Sequence, residues 1–99
     1  MTEPTKIEPN DVSDKLKDLT GWEPEQAGSA ISREFTFSNF YETMAFVNAL
    51  AWVAHSMDHH PDLQVGYKTC TVTYTTHSEG GLTSLDLEAA GRLNGLFSS

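Results

Sequence analysis

The chain has 99 residues, and fourteen Asp and Glu against six Lys and Arg give it a net charge of −8. A chain of this size makes one domain that buries roughly 60–70% of its unfolded surface, and an acidic surface disfavours nucleic acid and anionic membranes, both of which need basic partners. The single cysteine, Cys70, excludes an internal disulfide. No secretory signal and no run of about 18 apolar residues is present, so the expectation is a cytoplasmic protein without a membrane span.

Residues 1–10 are polar, hold Pro4 and Pro9, and read as a flexible lead to a single domain over 11–99. Asp11 or Ser13 can cap a short helix that runs to Leu19, with Val12, Leu16 and Leu19 on one face and Gly21 as its stop. A short strand over 22–25 and a turn over 26–29 follow. Residues 30–37 then alternate, with Ile31, Arg33, Phe35 and Phe37 on one parity, and the two strands make a hairpin.

Asn39 with Glu42 three residues on resembles a capping box and opens a long helix to about Met57. Its stripe is Phe40, Met44, Val47, Leu50, Ala51 and Ala54, widened by Phe46, Val53 and Met57. Apart from His55, no charged or titratable side chain lies between Glu42 and Asp58, so the rest of the protein or a second subunit should cover this helix. Pro61 ends the helical region. Leu63, Val65 and Tyr67 mark a third strand and Cys70, Val72 and Tyr74 a fourth, with the threonines and His77 on its other side. After Gly80-Gly81, Thr83 with Asp86 fits the capping pattern for a last helix with the stripe Leu82, Leu85, Ala89, Leu93 and Leu96. The order α-β-β-α-β-β-α predicts an α+β two-layer sandwich, a four-stranded antiparallel sheet with three helices on one face.

All four histidines fall near one stretch: His55, His59 and His60 around the end of the long helix, and His77 after the fourth strand. A tight turn within 66–68 would place His77 opposite a position near His59 or His60, where facing Cβ atoms stand ~4.5–5.5 Å apart. Imidazole both gives and takes protons near neutrality, with an ordinary pKa of about 6.5. Two imidazoles flanking a small substrate can serve as acid and base in one turnover, and no nucleophile frame competes with that proposal. Two other readings stand beside it. The pair before Pro61 can simply close a helix, and His55 and His59, at i,i+4 spacing, can hold a metal with His77 as third ligand. Asp58 and Asp62 read as solvated, Asp86 as a helix-terminus carboxylate, Tyr67 and Tyr74 as packing residues, and Cys70 as core.

The run His59-His60-Pro61-Asp62, then Tyr67, Thr76-His77, Gly81-Leu82-Thr83 and Asp86, resembles the pterin-4a-carbinolamine dehydratases. The upstream frame agrees through Leu19-Thr20-Gly21-Trp22, the strand Arg33-Glu34-Phe35-Thr36-Phe37, Phe40 and Phe46, so the resemblance covers about residues 12–97. The stretch from Ala51 through His55 to Leu63, with Val65-Gly66-Tyr67, is similar to bacterial members that accompany phenylalanine hydroxylase.

The resemblance implies dehydration of a 4a-hydroxytetrahydropterin to quinonoid dihydropterin, which a reductase recycles. The pterin is the substrate, with no metal and no bound cofactor. A homodimer or homotetramer, functionally coupled to phenylalanine hydroxylase, is implied as well. It puts the catalytic histidines at His59, His60 and His77, the substrate contacts at His60, Pro61 and Asp58, and supporting roles at His55 and Asp86. His59 and His77 are expected to transfer protons and His60 to orient the pterin. Many members carry Glu where this chain has His55, so the partner that orients a catalytic histidine would here be another imidazole, with a shifted pH optimum. The alternative function is a non-catalytic binding or assembly factor on the same fold.

Overall fold

The computed structural model describes residues 4–98. In chain order the elements are α1 (Val12–Lys15), β1 (Glu23–Glu25), β2 (Ala30–Thr36), α2 (Phe40–Met57), β3 (Asp62–Val65), β4 (Thr69–Tyr74) and α3 (Ser84–Ser98). The sheet runs β1-β2-β4-β3, antiparallel throughout. This is the expected α+β architecture. Short 3-10 turns at Pro9–Asp11, Gln26–Gly28 and His77–Glu79 punctuate it.

One face of the sheet makes the core. Ile31 and Phe35 of β2 and Cys70, Val72 and Tyr74 of β4 are completely buried against Val12 and Leu16 of α1, Phe46, Leu50 and Val53 of α2, and Ala89, Ala90 and Leu93 of α3. Each such large side chain contributes ~1.5–3 kcal/mol by leaving water. Phe35 is the hub of an aromatic cluster, with ring centroids 4.6 Å from Phe46, 5.3 Å from Phe97 and 6.1 Å from Trp22. Arg33, on the same parity, covers this cluster. Its guanidinium carbon lies 4.4 Å above the Phe35 ring and 5.1 Å from Phe97, while its nitrogen donates to Thr20 O and Asn94 Oδ1. The stop residue Gly21 (φ 86°) must be glycine on two counts: a Cβ there would come within 2.5 Å of Arg33 Nε.

The long helix starts as its sequence predicts. Asn39 Oδ1 accepts from Glu42 N at 2.8 Å, the first half of a capping box, while Glu42 Oε1 reaches one residue further back and accepts from Ser38 N at 3.1 Å. Its buried face differs from the expected stripe. Thr43, Phe46, Leu50, Val53 and Ala54 point inward, whereas Phe40 and Ala51 are exposed and Met44 is half-buried. Phe46, Leu50, Val53 and Ala54 all belong to the expected stripe or its widening, and Val47 and Met57 pack against the core as well; because α2 is apolar on most sides, the stripe was drawn too wide at Phe40 and Ala51 and missed Thr43. Thr43 is buried at no cost because its hydroxyl lies between Asn39 O and Tyr67 O, at 3.1 and 3.0 Å.

Four further features bear on the site. The described part of the lead packs against the start of the last helix: Ile7 is buried, its N–H donates to Leu82 O, and Thr5 and Ser84 exchange bonds. Helix α1 ends at Lys15, four residues short of Leu19. Val65, expected to face the helices, is exposed at the sheet edge. Strand β4 stops at Tyr74, so His77 lies on the 3-10 turn that follows rather than on a strand.

Candidate active site

The helix α2 delivers the histidine pair by an abrupt turn. Asp58 takes the left-handed conformation (φ 49°), its N–H returns to His55 O, and the His59 N–H returns to Ala54 O. The helix therefore ends at Met57 with Asp58 as its cap, before Pro61 is reached. His55 and His59 do not share a continuous helical face, which removes the geometric ground for an i,i+4 metal pair. Among the described residues no group of three or more His, Cys, Asp or Glu is placed to hold a metal ion.

The β3–β4 hairpin has the expected register, Asp62 facing Thr73 and Val65 facing Cys70, but pairing goes no further than Asp62. Pro61 has no N–H to extend it. The His59 carbonyl is taken by the Tyr74 hydroxyl at 3.1 Å instead. His77 is consequently not a cross-strand neighbour of His59 or His60, and the link between these parts of the chain is made by α3.

That link is Asp86, completely buried in the first turn of α3. Its Oδ1 lies 2.6 Å from His59 Nε2. Its Oδ2 accepts from Thr76 Oγ1 at 2.8 Å and from Thr83 N at 2.9 Å. A carboxylate only accepts, so Nε2 carries the ring proton of neutral His59 and Nδ1 is its bare nitrogen. Among the described residues no hydrogen bond occupies Nδ1, and no buried side-chain nitrogen or oxygen lacks a partner. The small residual exposure of the His59 side chain, 10%, thus includes Nδ1. The ring stacks on Tyr74 with centroids 5.0 Å apart and an interplanar angle of 20°. Burial first, and the charge of Asp86 second, push the Tyr74 phenol up to about 12, so it remains a neutral donor.

The other predicted site residues surround this buried centre. His60 and Asp58 are exposed on either side of His59, and Pro61 is half-buried. His77 is exposed and directly follows Thr76, whose hydroxyl bonds Asp86. The turn that holds His77 is closed by the Thr76–Gly81 backbone pair and by Gly80 at φ 73°. His55 is exposed on α2, with its ring 6.5 Å from that of Trp52, and no hydrogen bond joins it to another histidine among the described residues. The group that orients a histidine is the carboxylate of Asp86, not an imidazole at 55.

Three contributors were not singled out as site residues. Tyr74 read as packing, which it also is. Thr83 read as a helix cap, and it does accept from Leu85 N at 3.3 Å. Thr76 carried no local signal of its role.

Comparison with known proteins bears on what this arrangement is. Residues 5–96 match the family described as pterin 4 alpha carbinolamine dehydratase. A curated relative from Nitrosospira multiformis is 47% identical over 87 residues, 88% of this chain and 75% of its own length. One from Nitrosomonas europaea is 49% identical over 94 residues, 94% of this chain and 81% of its own. Both are named "Putative pterin-4-alpha-carbinolamine dehydratase". Among solved structures, the transcriptional coactivator/pterin dehydratase from Brucella melitensis superimposes with a TM-score of 0.88 at 32% identity, covering 94% of this chain and 99% of that one. A pterin dehydratase-like protein identified as a RuBisCO assembly factor in the alpha-carboxysome superimposes with a TM-score of 0.69 at 22% identity, covering 80% of this chain and 92% of that one. That last likeness shows the fold alone.

Proposed function

Because the chain belongs to the pterin 4 alpha carbinolamine dehydratase family, we propose that it dehydrates a 4a-hydroxytetrahydropterin to quinonoid dihydropterin by histidine acid/base catalysis. The observation that carries this reading is the buried His59–Asp86 pair at 2.6 Å, which leaves one ring nitrogen bare and open, with His60 exposed beside it in the chain and His77 exposed directly after Thr76, whose hydroxyl bonds the same Asp86. In the elimination the C4a–oxygen bond breaks and a C4a–N5 double bond forms. The leaving hydroxyl takes a proton and departs as water, and N5 gives one up.

His59 is the base for the N5 proton. The Asp86 carboxylate holds Nε2–H and stabilises the imidazolium that forms when Nδ1 takes the proton. His77, on its short closed turn, is the acid for the hydroxyl, and His60 orients the pterin together with Asp58 and Pro61. Acid and base exchange one proton each per turnover, so the enzyme is restored by a net transfer through solvent. The work is positioning and proton transfer, worth on the order of 100- to 10,000-fold for each well-placed group.

The same reading makes the protein a cytoplasmic homodimer or homotetramer, joined through the aromatic outer side of α2 and working alongside phenylalanine hydroxylase. Tyr41 and Trp52 on that side are 82% and 69% exposed, an apolar display that marks an interaction surface.

The test is a coupled assay in which phenylalanine hydroxylase generates the 4a-carbinolamine and its decay is followed by absorbance. The protein should accelerate decay over the spontaneous rate. His59→Ala and His77→Ala should each lose at least about 100-fold, and His60→Ala should act mainly on KM. Acceleration that survives both of the first two variants would refute the site while leaving the enzyme.

A further inference from the structure

We infer that Thr76 is a positioning residue: its hydroxyl fixes the Asp86 carboxylate that holds His59, while its backbone anchors the turn that presents His77. The inference rests on the reading of His59 as the base.

The geometry of one proton leads to it. Thr76 Oγ1 lies 2.8 Å from Asp86 Oδ2 and 2.8 Å from Thr83 Oγ1, and it has a single hydrogen to give. A buried carboxylate is the stronger acceptor, so the hydrogen goes to Asp86. The Thr83 hydroxyl must then donate to Thr76, and it in turn accepts from Leu85 N. The result is a chain of donors with one direction, from the first turn of α3 through two buried hydroxyls to Oδ2. With the Thr83 N–H also on Oδ2, that oxygen is fully occupied, and Oδ1 is left to His59 alone.

The backbone of the same residue does a second task. Thr76 N donates to Gly81 O at 3.0 Å and Gly81 N to Thr76 O at 3.3 Å, which closes the His77–Glu79 turn at its base. Thr76 is buried, whereas the turn it closes is exposed. One side chain and one peptide thereby join the fixed base to the exposed acid, although His59 and His77 lie on different elements and are not paired.

The effect on proton affinity has a sign. Removing the Thr76 hydroxyl strips one donor from Asp86, leaving more negative charge to face the His59 ring. The imidazolium is then held more tightly, and the base is available only at higher pH. The titratable groups facing that ring are Asp86 from α3 and Tyr74 from β4. Asp58 and His60 flank it along the chain, with His55 on the last turn of α2 and His77 beyond Thr76, all four exposed.

The experiment uses the full chain with Thr76→Val, which keeps the branched shape, and Thr76→Ser, which keeps the hydroxyl. Two things are followed: the titration of the His59 ring by NMR, and the pH profile of kcat/KM in the coupled assay. In Thr76→Val the His59 titration and the acidic limb of the profile should both move to higher pH by roughly half a unit, since hydrogen bonds to charged groups are strong and part of the change reaches His59. KM should hold, kcat should fall about tenfold or less, and Thr76→Ser should behave as wild type. If Thr76→Val does not fold, Thr83→Ala removes the donor to Thr76 and should move the titration in the same direction by less. An unmoved His59 titration in a folded Thr76→Val or Thr83→Ala protein overturns the proposal. A moved titration with an unmoved rate profile upholds the link through Asp86 and overturns the reading of His59 as the base.

Discussion

His59 Nε2 and Asp86 Oδ1 lie 2.6 Å apart across 27 residues of sequence, both out of contact with bulk water except at the open edge of the ring. The contact fixes which nitrogen of the neutral imidazole bears the proton, and it is the relationship on which the site depends.

Asp86→Asn should invert that choice. Thr83 N–H and the Thr76 hydroxyl need an acceptor, so the amide oxygen takes the place of Oδ2 and the amide NH2 faces His59. Nε2 must then accept, the ring proton moves to Nδ1, and the base is lost. We expect kcat to fall by about 100- to 10,000-fold with cooperative unfolding retained, because every polar atom keeps a partner. A variant that keeps its rate within a few-fold would show that the bare nitrogen is not Nδ1, or that His59 is not the base.

Tyr74 gives a prediction at high pH. The folded protein holds its phenol proton up to about 12, against an ordinary value of 10.0 in the unfolded chain. With the folded value raised, the stabilisation is complete below the unfolded value and is lost as pH rises through the folded one. It amounts to ~2–3 kcal/mol for this completely buried group. Tyr74→Phe should therefore be less stable than wild type near neutrality, by ~1 kcal/mol for the lost bond to His59 O. The gap should close soon after pH passes 10 and reverse before 12, because ionisation of the phenol in the unfolded chain takes away more than the lost bond is worth. Urea unfolding at a series of pH values reads the difference, and a constant gap across that range would contradict the assignment.

What the sequence made legible follows from how far its signals reach. The Asn39 cap on Glu42 and the pair Thr83 and Asp86 are spaced within one helical turn, so both could be read and both are present. The inner face of α2 could be read at Phe46, Leu50, Val53 and Ala54, all buried, but not at Thr43, which is polar in sequence and among the most buried residues of the helix. Ile7 was obscured by its setting between prolines. The site was half visible. The histidines and Asp86 could be named, but the same carboxylate caps α3 and holds His59, and only folding over 27 residues brings the second role about. Thr76 enters the resemblance only as the neighbour of His77, and what it does is seen only when its hydroxyl is found on Asp86.

Ile7→Ala should show that the start of the described chain belongs to the fold. The side chain is buried, and its N–H bonds Leu82 O while Thr5 pairs with Ser84, so this segment braces the turn where α3 begins. Removing a buried isoleucine of this kind costs ~2–4 kcal/mol. The midpoint of urea unfolding should fall accordingly, with the dehydration rate held at temperatures where the variant stays folded. A loss below about 0.5 kcal/mol, the range of surface changes, would favour a loose lead.

Trp52→Glu tests whether the outer side of α2 is a subunit contact. Trp52 is 69% exposed, touches the His55 ring and contributes nothing to the core, while Tyr41, on the same helix, is 82% exposed. Glutamate is a good helix former, so in a lone subunit the change should alter stability by only a few tenths of a kcal/mol. At a subunit interface it would bury an unpaired carboxylate, which costs several kcal/mol and breaks the contact. Light scattering on the wild type should then give a dimer or tetramer and on Trp52→Glu a smaller species with the same helical content. Because His59, Asp86 and Thr76 bond within one subunit, the smaller species should keep its dehydration rate. An unchanged mass would take the contact away from this side of α2. A lower mass with activity lost as well would mean that a neighbouring subunit completes the pterin site.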